Sequence, residues 1–506
     1  MAFADFFDRG TVAAAQVIAG FDEDVFKAAL SGTTVGISLG PEVASRAEGG
    51  FLADLTVRLL ARLYPNLSIT AASEAQEVAS GLTALARAIN PLITVTDDSR
   101  APVGVVIGNG DAPFETAVFA GSHGGIALID ADSPQPIGDS PNPLGAGAAA
   151  CFAAANIFRL LFLGGSEQLD RDLVYSTYVA DRVTLSSQAA QPQLGTGLPP
   201  ATVLVGCGAI GNAAAWALAR APISGQLHIV DPETIELSNL QRYVLAERAD
   251  VDRVKVDVLS KAFTSGVLAV PHAVSWADFV GETGHMWRHA LVALDSAADR
   301  RAVQASLPEW IVNAWTQPGD LGVSLHGRFS LTGSCLACLY LPTDPAPNED
   351  EIVAQALGVP EHKQTIRDLL HTGGFPQAGL LDAIAERLCV PREVLAGFEG
   401  RSIRDLYVEG RCGGAVVPLD RLGVPQRELH VPLAHQSALA GIQLAASFLR
   451  QCRELPPDPT QVTRINILRP LGEDLTQPAT KSDARCLCAD ADFVHRYDEK
   501  WNASRQ

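Results

Sequence analysis

Three groups of residues in this chain have the types and the spacing to do chemistry. The first is a glycine loop. Gly206-Cys207-Gly208-Ala209-Ile210-Gly211 follows a β-branched run at 202–205 and opens an Ala-rich helical pattern that ends near Arg220. A second strand pattern, 226–230, ends on Asp231, twenty residues after Gly211. Glycines of this kind let the backbone approach a phosphate, and the helix N-terminus adds free N–H groups and the positive end of its dipole. The acid after the next strand is placed to hold ribose hydroxyls. Alone, the pattern fits a nicotinamide, flavin or ATP enzyme equally well.

The residues beyond the loop separate these readings. The run Asp231-Pro232-Glu233-Thr234-Ile235-Glu236-Leu237-Ser238-Asn239-Leu240-Gln241-Arg242 is succeeded by Lys255, and then by Asp295 after an apolar strand pattern at 290–294. Here the chain resembles the superfamily of ubiquitin-activating enzymes and their relatives in thiamin and molybdopterin synthesis, whose hallmark is approximately D-x-D-x-[VI]-x-x-S-N-L-x-R-Q. Two positions depart from it: Glu233 replaces the second Asp, and Tyr243 stands where Gln is usual.

The resemblance implies a Rossmann-like α/β adenylation domain. In such a domain a carboxylate at the end of a small protein attacks the α-phosphate of ATP and pyrophosphate leaves. Gly206, Gly208, Gly211, Asp231 and Asn239 would hold the nucleotide. Arg242 and Lys255 would neutralise charge as the α-phosphorus becomes five-coordinate. Asp295 would bind Mg2+, a hard cation suited to carboxylate oxygen. Singly, each of these residues also suits an ordinary structural role: Lys255 on a solvated face, Asp295 as a helix cap, Arg242 in a surface ion pair.

Cysteines make up the other two groups. Cys335 and Cys338 form a CxxC knuckle, and Cys486 and Cys488 form a CxC pair near the C-terminus. A lone CxxC is ambiguous. The resemblance implies that the four close one structural Zn2+ site, although the family's second pair is usually CxxC. Cys412 lies in Gly410-Arg411-Cys412-Gly413-Gly414, ahead of the helical pattern that begins near Pro432. By the same resemblance it is the nucleophile that takes the acyl group from the adenylate as a thioester, an attack for which a modest thiolate fraction suffices. Cys151, Cys389 and Cys452 sit in apolar helical patterns and read as packing residues.

The elements that must position these residues point to two α/β halves. Residues 34–39 read as a strand, 40–41 as a turn, 49–63 as a helix and 67–70 as a strand, a worn copy without GxGxxG or the terminal acid. Small-residue helices starting near Pro143 and Pro432 correspond as well, though Ala-rich helices also resemble one another by chance. The expected organisation is a degenerate, inactive adenylation-like domain at 1–185 and a Pro/Gly-rich linker at 186–200. The active domain then occupies 201–342 and 411–506, interrupted by a helical insertion at 343–410.

Composition bounds the rest. The 506 residues are 47% hydrophobic and 19% charged, a core-forming balance long enough for two or three domains. The net charge of −19 repels nucleic acid and anionic lipid. The start lacks a signal-peptide pattern, the weakly polar stretch near 148–165 is interrupted by Asn156 and Arg159, and nine cysteines suit a reducing cytoplasm. The chain is therefore expected to be cytoplasmic, with no membrane or nucleic-acid partner. The resemblance implies a ubiquitin-like protein and a conjugating-type enzyme as partners, in the manner of bacterial ubiquitin-like conjugation operons linked to antiphage defence. A sulfur-carrier adenylyltransferase, an NAD-dependent oxidoreductase and a non-catalytic scaffold are the competing readings.

Overall fold

The computed structural model describes residues 3–98, 100–185, 196–317, 319–327, 334–341, 349–388, 390–407, 431–452, 461–472 and 482–502. The chain divides into two compact units, Met1–Leu341 together with His430–Gln506, and Pro342–Leu429.

The larger unit is built on two sheets. The first contains β1 (Val35–Leu39), β2 (Asn66–Ala71), β3 (Thr94–Thr96), β4 (Val103–Ile107), β5 (Thr116–His123), β6 (Ile126–Asp130), β7 (Leu173–Ser176) and β8 (Asp181–Arg182). The second contains β9 (Thr202–Val205), β10 (Gly225–Val230), β11 (Val267–His272), β12 (His289–Val292), β13 (Trp310–Thr316), β14 (Leu321–His326) and β15 (Gln461–Ile465). The central strands β1, β4, β9 and β12 are buried throughout, which is why they read as unbroken apolar runs.

The strand orders are β3-β2-β1-β4-β5-β6-β7-β8 and β11-β10-β9-β12-β13-β14-β15. Direction also corresponds, position by position. In each sheet the first five strands in this order are parallel and the next two are antiparallel. The helix Leu144–Phe162 joins β6 to β7, and Ala434–Gln451 joins β14 to β15. The two small-residue helices thus occupy the same place in the two sheets.

Those helices also form the seam between the sheets. Ala434–Gln451 packs on Ala209–Arg220, Leu144–Phe162 packs on Ala47–Leu60, and Leu144–Phe162 and Ala434–Gln451 touch each other. Their glycines and alanines follow from the close approach. A Cβ on Gly441 would lie 2.3 Å from the Ile210 carbonyl oxygen, and one on Gly147 2.8 Å from Trp216 and from Ile442. Leu144–Phe162 is long and apolar enough to cross a membrane, but 89% of it is buried inside the protein, as a core helix should be.

Polar contacts tie the seam. Asp54 accepts from Trp216 Nε1 at 2.7 Å and from Arg220 at 3.3 Å. Arg159 and Asp170 form a fully buried ion pair at 2.6 Å. Arg159 also donates to the Ile467 carbonyl at 3.1 Å, and Asp170 accepts the Leu471 N–H at 2.7 Å. The segment after β15 is thereby fixed to the first half.

The smaller unit has a core of its own, which includes Val353, Leu357, Ile366, Leu381, Ile384, Leu395 and Ile403. Its helices Glu349–Ala356, Lys363–Thr372 and Ala378–Arg387 lie within the stretch 343–410 expected to be helical. Gly373, at φ +66°, ends the second of them in the left-handed conformation.

Candidate active site

The glycine loop joins β9 to the helix Ala209–Arg220 at the carboxyl end of the sheet, between the central strands β9 and β12. That is where open α/β sheets bind ligands. Gly206 has φ +95°, and a Cβ there would sit 2.6 Å from the Ala293 carbonyl oxygen. A Cβ on Gly211 would lie 2.0 Å from the Gly206 carbonyl oxygen, so helix and strand meet only because both residues are glycine. Gly208 differs. Its Cβ would face open space bounded by the Tyr243 hydroxyl at 3.8 Å. Asn212 braces the loop from behind, donating to the Cys207 carbonyl at 2.9 Å and accepting from Leu245 N.

Asp231 stands at the end of β10. Its carboxylate accepts the Cys207 N–H at 2.7 Å and the Glu233 N–H at 2.9 Å. Burial raises its pKa, opposed by Lys255 and these two N–H groups. Lys255 is only 4% exposed and ion-paired to Glu233. Its ammonium also lies 5.4 Å from the centre of the Tyr243 ring. The two positions that depart from the family pattern, Glu233 and Tyr243, therefore both lie beside Lys255.

Asn239 orders the S-N-L turn: its side-chain oxygen accepts the Glu236 N–H at 3.1 Å in a reciprocal capping pair. Arg242 comes directly after this turn. Its Nη1 is buried with no hydrogen-bond partner among the described residues. Burial lowers its pKa, and Arg9 acts in the same direction, whereas Tyr243, Asp295 and Glu236 oppose it. Arg9 comes from the helix Phe7–Ala15, which packs on the turn Leu237–Gln241. Asp295 is exposed just past β12, ahead of Ser296, which caps the helix Ala297–Ala305. Arg242, Lys255 and Asp231 thus line one mouth with the glycine loop, and Asp295 adds an exposed carboxylate at its edge. The uncompensated guanidinium suits an anionic ligand.

The turn that carries Asn239 and Arg242 is held from the first half. Arg62 is fully buried and donates to the carbonyls of Leu240, Val244 and Ala246, the last at 2.8 Å. Arg58 donates to the Val244 carbonyl at 2.9 Å. Sequence reasoning passed over Arg9, Arg58, Arg62 and Asn212. Only Asn212 left a signal, as a polar residue inside an otherwise apolar helical run.

In the first half, the segment after β1 runs Gly40-Pro41-Glu42, and the Glu42 carboxylate bonds the Asn109 side chain and accepts the Asn109 N–H at 3.3 Å. A carboxylate of the protein thus fills the end of this sheet where the second sheet leaves open space over Gly208.

The four cysteines converge. Cys335, Cys338, Cys486 and Cys488 bring their sulfurs within 4.8 Å of one another, with Cys335 and Cys486 at 3.5 Å and Cys338 and Cys488 at 3.4 Å. A tetrahedral zinc with bonds of about 2.3 Å needs sulfurs about 3.8 Å apart, so the set fits with small adjustment. An all-thiolate set suits zinc or iron–sulfur chemistry. Cys412 and Cys389 lie outside the described residues. Cys207 and Cys151 are fully buried, and burial pushes both thiols far above their usual range.

Residues 200–274 match the family described as ThiF family, and residues 39–163 match Prokaryotic E2 family C. Cys151, the one cysteine within 39–163, is 0% exposed, so that stretch offers no accessible thiol. A protein of Sinorhizobium fredii described as "Uncharacterized protein y4jF" is 42% identical, over 100% of this chain and 98% of its own length. Among solved structures, Escherichia coli MccB in complex with MccA-N7isoASN is 15% identical, with a TM-score of 0.35 over 57% of this chain and 67% of that one. The same protein with ATP is 14% identical, with a TM-score of 0.34 over 57% and 67%. The chain and its rhizobial relative belong to one family, and residues 200–274 of this chain form a ThiF-family, ubiquitin-activating-enzyme-like domain.

Proposed function

We propose that the chain activates the C-terminal carboxylate of a ubiquitin-like protein with Mg-ATP and then carries it as a thioester on Cys412. The observation that supports this best is the mouth of the glycine loop, where a Cβ on Gly208 would face open space among the described residues and the buried Arg242 Nη1 has no hydrogen-bond partner among them. The carrier carboxylate attacks the α-phosphorus, the bond to the pyrophosphate breaks, and the two cations take up the charge that develops. Asp295 is the carboxylate that would hold Mg2+, which would supply further neutralisation of the triphosphate charge. Cys335, Cys338, Cys486 and Cys488 hold a structural Zn2+ with no open position. The first half contributes Arg9 and the brace from Arg58 and Arg62 and has no nucleotide chemistry of its own.

The test is exchange of labelled pyrophosphate into ATP, dependent on a small protein with a free C-terminal carboxylate. Asp295→Ala should abolish it; unchanged exchange in that variant refutes the assignment. Cys412→Ala should leave exchange nearly intact and remove any carrier-bound band that thiol reductant dissolves. Exchange without such a band in the unmodified protein would replace the thioester step with direct transfer, the sulfur-carrier reading. A ubiquitin-like protein and a conjugating-type enzyme encoded beside this chain would fix the pathway.

A further inference from the structure

We propose that Tyr243 is a nucleotide-binding residue of this chain, its phenol donating a hydrogen bond to the phosphates of a nucleoside triphosphate seated on the glycine loop. This rests on the adenylation reading of that site.

Position is the first ground. The helix Ala209–Arg220 presents its N-terminal N–H groups to whatever sits over Gly208. Among the described residues, a methyl group on Gly208 would meet the Tyr243 hydroxyl at 3.8 Å and no other atom beyond its chain neighbours within 4 Å. The phenol is thus the side chain bounding the space in which a phosphate would lie. Its ring is otherwise buried, 3% exposed, so the hydroxyl is not free to swing away.

Protonation is the second. Lys255 donates to Glu233 and lies 5.4 Å from the centre of the Tyr243 ring, so its charge stands beside the phenol. Burial raises the phenol's pKa, and Lys255 and Arg242 only partly offset this, so it is a neutral donor at pH 7. The Arg242 guanidinium lies 5.8 Å from the ring, so the same anion can be shared by cation and phenol. No electron or proton need be transferred; the phenol donates a hydrogen bond and keeps its proton.

The departure from the family pattern then has a physical reading. The usual Gln offers an amide N–H at this place, and a phenol offers an O–H from a longer, stiffer side chain. Glu233, also a departure, accepts a hydrogen bond from Lys255. The two changes form one arrangement around Lys255.

The experiment compares full-length protein with Tyr243→Phe and Tyr243→Gln. Calorimetry gives Kd for ATP and for adenosine, and pyrophosphate exchange gives KM and kcat. Tyr243→Phe should weaken ATP about tenfold, the range of a hydrogen bond to a charged group. Its adenosine affinity and melting temperature should stay unchanged, and KM should rise more than kcat falls. Tyr243→Gln should recover most of the loss. ATP binding unaltered in Tyr243→Phe, or adenosine weakened equally, would overturn the inference, as would wild-type protein that binds no ATP. If ATP binding responds as expected while no carrier supports exchange, the phosphate contact stands and the adenylation reading is what fails.

Discussion

Arg62 Nη2 donates to the carbonyl of Ala246 at 2.8 Å, across a separation of 184 residues. The same guanidinium reaches Leu240 and Val244, and burial pulls its pKa down to about 9, with Arg58 adding to the effect and Glu247 opposing it. Removing the side chain relieves a desolvated charge but strands three carbonyls, and the second effect should dominate. Arg62→Met is expected to lower stability by about 1–2 kcal/mol in urea unfolding. It should also weaken ATP, because the turn with Asn239 and Arg242 loses its support. Arg62→Lys should fall between the two, since one ammonium cannot reproduce the planar fork. Full stability and affinity in Arg62→Met would show that the brace carries neither.

The cysteine cluster makes a stoichiometric prediction. Freshly purified protein should hold about one zinc per chain by elemental analysis. Cys486→Ala should lower the melting temperature and the metal content together, because metal binding is part of the folding free energy. The helix Ala491–Asn502, anchored through Tyr497 to the Glu309 carbonyl at 2.5 Å and through Trp501 to the Leu307 carbonyl at 3.0 Å, should gain in amide exchange first. Metal-free protein of undiminished stability would rule the site out.

Acid should destabilise the protein through histidines buried in neutral form. Burial pushes His435 down to about 3, with Arg159 adding to the effect, and His289 down to about 4. Both values lie below the ordinary 6.5, so the unfolded chain binds these protons first. Stability is complete above about pH 6.5 and falls as pH drops below it. Each histidine contributes a slope of about 1.4 kcal/mol per pH unit. His435→Gln should flatten the dependence between pH 6.5 and 5 by about that amount per unit. An unchanged slope would mean that His435 is protonated in the fold.

Gly206→Ala is expected to be severe. The residue needs φ +95°, and its new methyl would stand 2.6 Å from the Ala293 oxygen. A cost of about 2 kcal/mol or more results from strain and overpacking, together with loss of ATP binding. Gly81→Ala, in the helix Gln76–Ile89 with nothing near its Cβ, should instead be neutral or mildly stabilising. Thermal melts of the pair decide the point.

The parts of the site legible in the sequence are those that are local. Gly206 to Arg242 spans few enough residues for loop, acid and turn to be read in one pass, and the two cysteine pairs carry their own spacing. Arg9, Arg58 and Arg62 were not legible, because each is an ordinary charged residue on a helical pattern whose meaning lies in a carbonyl or a guanidinium far along the chain. Glu233 and Tyr243 read in the sequence only as departures from the family pattern, and their common proximity to Lys255 was not legible there. In the first half, the order of strand, turn and helix was readable, and the corresponding sheet topology was not, since strand order depends on pairings that no local pattern records.

The seam of helices places both sheets in one covalent chain, and this has a consequence for mass action. When a neighbouring subunit braces a catalytic turn, the fraction of complete sites falls with dilution below the dissociation constant. Here Arg62 and Arg9 reach Leu240 and Arg242 from the same polypeptide. The brace is therefore supplied at a fixed local concentration, and turnover per chain should be the same at nanomolar as at micromolar protein.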